Sequence, residues 1–166
     1  DTPKVCREKL KELVKIALFK SETDVQKYIM DFRKEYNKLD PYEIGKPTGV
    51  NGLKDWAGSP VYKKGAPIHV RAALLHNNHV RRLKLTEKYE MIQDSDKMKW
   101  VYLRMPNPTH ENVLGFTKKY PDDVMPSKFV DYEEMFETTF LSKAQILLNP
   151  LGWQAEAVAD LTDFFG

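Results

Sequence analysis

Residues 62–85 read YKKGAPIHVRAALLHNNHVRRLKL, and the rest of the chain is best read outward from them. Lys63 and Lys64 precede Gly65, a residue that adopts backbone angles closed to others. Pro67 follows, suited to a helix start because a first-turn N–H has no helical acceptor to lose. The spacing of Ile68, Ala72, Leu75 and His79 predicts a helix from Ile68 to about Leu83, with one stripe turned inward and cationic ends turned out. Between Lys46 and Lys84 stand eight basic residues, Lys46, Lys54, Lys63, Lys64, Arg71, Arg81, Arg82 and Lys84, against one acid, Asp55. That bias does not suit an ordinary mixed surface; its matching partner is a phosphate-bearing polyanion.

Upstream, residues 3–19 place Val5, Cys6, Leu10, Leu13, Val14, Ala17 and Leu18 at helical spacing. Ser21 with Asp24 forms a capping-box pattern, and Val25, Tyr28, Ile29, Phe32 and Tyr36 then recur at three and four residues. Two amphipathic helices are expected, packed antiparallel. Asp40-Pro41 and Gly45-Lys46-Pro47 end this hairpin, and Gly49, Gly52, Gly58 and Pro60 predict a largely irregular segment to Pro60.

Downstream the period changes. Tyr89–Ile92 and Trp100–Met105 are short β-rich runs around the turn-forming residues 93–97, so a hairpin is expected, with Val113–Thr117 as a third strand. Pro121 to Pro126 is a break. Asp131 can cap a helix carrying Tyr132, Met135, Phe136, Thr139 and Phe140, and a further helical stretch runs from Ser142 to Leu148. From Trp153 the tail has weak helical character. The expected fold class is α+β, mainly α: a helical hairpin plus a basic helix, a small antiparallel β element and C-terminal helices.

A chain of 166 residues with 42% hydrophobic content supports one core and one domain. The net charge of +2 conceals a division: Lys and Arg outnumber acids 19 to 11 through Lys88, and acids outnumber them 13 to 7 from Glu90 onward. A single cysteine, Cys6, excludes an internal disulfide and a cysteine zinc site, and suits a reducing compartment. No run has the length of a membrane-spanning helix. The start at Asp1, without a methionine, reads as a piece of a larger protein.

Catalytic candidates fail on chemistry. Asp94 and Asp96 could hold paired magnesium ions, but they flank Ser95 between two strands, where Asp and Ser are ordinary turn residues. His69, His76 and His79 share the basic helix without an HExxH glutamate or a nearby cysteine, so no metal site is expected. Nothing matches GxSxG or a glycine-rich phosphate loop. Without a base-reading helix, binding is expected to be general in sequence.

The chain resembles the thumb region, through to the C-terminus, of the family B replicative DNA polymerases of T-even-like tailed phages. The resemblance covers nearly the whole length. It is carried by Thr2-Pro3-Lys4-Val5, by Tyr62 to Arg71 (YKKGAPIHVR), by Asn77, by Val101-Tyr102-Leu103, by Asp131-Tyr132 with Thr139-Phe140, and by Asp163-Phe164-Phe165-Gly166. It implies a noncatalytic module over residues 1–160, with a β sublobe at about 89–118, that grips the backbone of primer-template duplex. It implies DNA contacts at Lys63, Lys64, His69, Arg71 and Asn77, to which the basic cluster adds Arg81, Arg82 and Lys84. It also implies that residues 161–166 form a sliding-clamp-binding peptide, with Leu161, Phe164 and Phe165 on one face of a helical turn, ordered only on the clamp. Mg2+ and the catalytic carboxylates would belong to the absent palm, the remaining polymerase domains would be partners, and the compartment would be the cytoplasm of an infected bacterium. The competing expectation is a stand-alone protein-interaction adaptor using the acidic half and the aromatic tail.

Overall fold

A computed structural model describes residues 1–56 and 65–157. The architecture is α+β and mainly helical, with one three-stranded antiparallel sheet. Helix α1 spans Lys4–Phe19 and buries Cys6 and Leu13; Val14 and Leu18, expected on the same stripe, are exposed. Helix α2, Glu22–Tyr36, begins at the expected capping box: Ser21 Oγ accepts from Asp24 N at 3.3 Å, and Asp24 Oδ2 accepts from Ser21 N at 3.1 Å. Two cross-links fix the antiparallel sense. Lys9 pairs with Glu35 at 3.3 Å, while Tyr28 OH donates to Glu12, further along α1, at 3.4 Å.

The apolar face of α2 meets the C-terminal helices in an aromatic cluster. Phe32, 1% exposed, has ring centroids 5.8 Å from Tyr36, 5.7 Å from Phe136 and 4.8 Å from Phe140. Asp131 caps α6, Tyr132–Phe136, by accepting from Glu134 N. Between α6 and α7, Ser142–Leu148, the helix continues through a π-helical turn, Glu137–Leu141, where two separate helical stretches are expected from the sequence. A wider turn weakens the regular ladder, and threonine hydroxyls take up the carbonyls: Thr138 Oγ1 donates to Glu134 O at 2.9 Å and Thr139 Oγ1 to Met135 O at 2.5 Å.

The sheet differs from the expected hairpin. Its strands are β1 (Lys46–Gly49), β2 (Lys97–Tyr102) and β3 (Val113–Phe116), in the order β1-β2-β3. The partner of β2 on one side is β1, with Lys46 opposite Trp100 and Thr48 opposite Met98, and residues 89–92 form no strand. The Lys-Pro-Thr-Gly sequence of β1 lacks apolar alternation and carries a proline, which an edge strand tolerates because one side of its backbone needs no partner. Short helices α3, Pro41–Ile44, and α4, Leu53–Trp56, flank β1 in the segment expected to be irregular. The sheet is therefore not a sublobe confined to residues 89–118. Beyond Tyr102, Leu103 bridges Val130 and Arg104 N donates to Phe129 O, which ties the approach to α6 onto the end of β2.

Side-chain alternation makes the sheet a middle layer. Val101, Leu114 and Phe116 join the core shared with α1, α2, α6 and α7, while Met98, Trp100 and Val113 join a second core under α5, Ile68–Arg82. Helix α5 lies close on β3. A Cβ at Gly115 would meet the Ala72 backbone at 3.1 Å and Met98 Cε at 2.5 Å, so this position accepts only glycine while α5 stays in place.

Phe32→Ala should cost about 3–5 kcal/mol by cavity formation, and Gly115→Val should destabilise comparably by lifting α5 off the sheet. Urea unfolding measures both. An unchanged midpoint for either variant contradicts the packing that involves it.

Candidate nucleic-acid interface

The basic helix forms as the sequence expects, but its polar side chains divide into buried struts and exposed charges. Gly65 has φ +104 in open space, so its torsion, not crowding, favours glycine. Pro67 is the N-cap of α5, extended, and no side chain caps the first turn. Lys63 and Lys64 lie outside the described residues.

Asn77, expected on DNA, is instead buried. Its Nδ2 donates to Ile92 O at 2.9 Å and its Oδ1 accepts from Ile92 N at 2.8 Å. One amide thus replaces a two-bond strand ladder and holds residues 89–92 beside α5 without a strand partner. The neighbouring His76 Nε2 lies 2.8 Å from Glu90 O. A carbonyl only accepts, so Nε2 carries the proton; Nδ1 is buried without a hydrogen bond. His79 Nδ1 accepts from Arg82 Nη2 at 3.2 Å, so it too is neutral with the proton on Nε2. Burial lowers the pKa of both rings, and the Arg82 charge adds to the effect at His79.

Arg71 also departs from the expectation of a free cation. Its Nη1 pairs with Glu111 Oε2 at 3.3 Å, with only 22% and 13% of the two side chains exposed. Burial raises the pKa of Glu111, and the guanidinium opposes that rise. Glu111 comes from the loop between β2 and β3, forty residues from Arg71, and no local pattern signals the pairing. His69 is half-buried at the start of the helix.

The exposed charge collects at the other end of α5. Arg81, Arg82 and Lys84 are all exposed. Leu85 N donates to Val80 O and Lys84 N to Arg81 O, the paired bonds of a Schellman cap, with Lys84 at the left-handed position, φ 58. Glycine is the favoured residue at that position, so a lysine there carries backbone strain.

Asp94 and Asp96 serve the loop. Asp94 Oδ1 accepts from Leu53 N at 2.9 Å and so caps α4, and Asp96 Oδ2 accepts from Gln93 N at 2.8 Å. Among the described residues no three His, Cys, Asp or Glu side chains group to hold a metal ion, and no helix is long and apolar enough to cross a membrane. Sequence reading counts Lys46 in the basic segment without giving it a site. It stands on the sheet, with Nζ 5.0 Å over the Trp100 ring and 5.6 Å over Tyr102. Leu161, Phe164 and Phe165 lie outside the described residues.

The described residues thus form an α+β module with exposed cations gathered at the C-terminal end of one largely buried helix. No family model matches the chain, but it is similar to a segment of a DNA-directed DNA polymerase. That relative is the polymerase of Enterobacteria phage T4, 28% identical over 173 aligned residues that take in 99% of this chain and 18% of the polymerase. The resemblance to a phage DNA polymerase read from the motifs is borne out by this match, and the chain spans less than a fifth of the relative's length.

Because the folded state favours neutral His76 and His79, the unfolded chain binds more protons below the ordinary histidine value near 6.5. Their contribution to stability is complete above that value and is lost as pH falls below it. The melting temperature should drop between pH 7.5 and pH 5, and by less in His76→Gln, whose amide can still donate to Glu90 O. Parallel pH profiles for the two proteins would remove His76 from this account.

Proposed function

We propose that the chain is the thumb portion of a family B phage DNA polymerase. It holds the backbone of primer-template duplex without taking part in catalysis and tethers the enzyme to a sliding clamp through residues 161–166. The observation that carries this proposal is the span of the match: 99% of the chain aligns to 18% of a DNA-directed DNA polymerase. The charge arrangement supports it. Arg81, Arg82 and Lys84 are exposed, and Lys63 and Lys64 stand just ahead of the same helix in sequence. Phosphates are recognised by such groups without base readout. Catalysis, with its Mg2+, belongs to the polymerase domains that this module positions DNA for, in the bacterial cytoplasm during infection.

The proposal assigns separate duties along α5. Lys63, Lys64, Arg81, Arg82 and Lys84 contact phosphate, and His69 stands at the helix start as a further polar contact. Arg71 is held by Glu111 until a phosphate competes for it. Asn77 acts only by fixing Ile92.

Five neutralised phosphates give a slope of about −4.5 for log affinity against log salt, and Lys63→Ala with Lys64→Ala should reduce it to about −2.7. Lys84→Gly should raise stability by about 1 kcal/mol by relieving the left-handed lysine while flattening the slope by about 0.9. Asn77→Ala should lower the melting temperature and leave the slope unchanged. Titration of primer-template DNA at several salt concentrations, with melting of each variant, measures all three. A slope insensitive to the lysines, or one that falls in Asn77→Ala, contradicts these assignments.

A further inference from the structure

The Arg71–Glu111 pair is built for exchange. Arg71 Nη1 reaches Glu111 Oε2 through one bond of 3.3 Å, and neither side chain makes a further hydrogen bond to a described residue. Charge-assisted bonds of this kind settle at about 2.7–2.9 Å, and a guanidinium facing a carboxylate or a phosphate commonly engages two donors at once. The contact is thus long and single, although both groups are largely withdrawn from water. A pair that served only to neutralise a covered cation would use the fork that arginine offers.

A stapled loop delivers the carboxylate. Between β2 and β3, Leu103 N donates to Asn112 O at 2.8 Å and closes the loop's base. Inside it the buried Asn107 ties the chain together: Nδ2 donates to Arg104 O at 2.9 Å and to Glu111 O at 2.7 Å, and Oδ1 accepts from Thr109 N and Thr109 Oγ1, each at 3.1 Å. Arg104 N is anchored in turn on Phe129 O at 2.7 Å. An acid whose backbone is fixed in this way loses little freedom on meeting Arg71.

We propose that Glu111 is an internal stand-in for a DNA phosphate: it occupies Arg71 when the duplex is absent, is displaced when the duplex backbone reaches the start of α5, and returns as the duplex leaves. This rests on the phosphate grip proposed above and adds a restraint to it. A phosphate can take both ends of the Arg71 fork and so displaces a single long bond, but the like charge of Glu111 close by weakens its hold. Arg81, Arg82 and Lys84 form no ion pair with a described residue, so Glu111 restrains the first turn of the helix alone. A grip that lets a duplex advance gains from one contact that can be surrendered without leaving a covered cation unpaired.

Glu111→Gln keeps the shape of the side chain and removes its charge. In the full chain it should strengthen binding to primer-template DNA by about tenfold, the gain of one charged hydrogen-bond contact, and steepen the log-log salt slope from about −4.5 to about −5.4. Glu133→Gln, at an exposed acid on α6, adds the same formal charge and should do neither. In an Arg71→Gln background the Glu111 substitution should have no more effect than Glu133→Gln. Glu111→Asp, which keeps the charge and shortens the reach, should give an intermediate gain, and melting of each variant checks that it is folded. The same series on heparin, a polyanion without bases, separates this proposal from the one it rests on. A gain at Glu111→Gln on heparin, with no affinity of any variant for DNA, supports the restraint and removes the DNA grip. Equal affinity of wild type and Glu111→Gln for both polyanions, including none for either, or a gain that persists in Arg71→Gln, overturns the restraint.

Discussion

The close approach of α5 to β3 at Gly115 sets the terms for the rest of the molecule. Ala72 and Ala73 face the sheet with minimal side chains, and Gly115 has none, so the helix backbone comes nearly into contact with the strand. A helix seated this deeply has most of its circumference covered. Val70, Leu75 and Val80 gain burial from that, but His76, Asn77 and His79 are buried with them. Polar groups removed from water cost free energy unless they are paired, so the chain next to α5 must supply partners. Residues 89–92 do so, offering Glu90 O to His76 and both backbone groups of Ile92 to Asn77. The stretch that looks like a strand is therefore a polar lining for a buried helix.

The same seating decides where positive charge can face outward. Arg71, in the first turn and over the sheet, is partly covered, and Glu111 of the β2–β3 loop balances it. In the last turn Val80 turns into the core while Arg81, Arg82 and Lys84 are exposed, and the Schellman bonds hold their backbone in place. Position along one helix thus separates a neutralised cation from free ones, although the composition of residues 46–84 makes them look alike.

Much of this was legible from local chemistry. The Ser21–Asp24 box, the Val25-to-Tyr36 stripe, Pro67 ahead of α5 and Asp131 ahead of α6 each act within one turn, and each element stands where its signal lies. What failed depended on distant groups. β1 exists because β2 pairs with it, not because Lys-Pro-Thr-Gly favours extension. Asn77 was expected on DNA from the resemblance alone, and nothing local signals its burial, since its partner is backbone fifteen residues away and carries no sequence signature. The pairing of Arg71 with Glu111 spans forty residues.

The three-layer arrangement also separates the two ends of the chain's chemistry. The cations lie with α5 on one face of the sheet, whereas Trp153–Ala157 is tied to α2 and α7 in the layer on the other face. Between them stands the sheet with its two apolar cores. Salt screens exposed charges such as those of Arg81, Arg82 and Lys84 and leaves apolar burial nearly untouched. The exposed charges and the packed core therefore answer differently to salt, because the interactions that form them differ in kind.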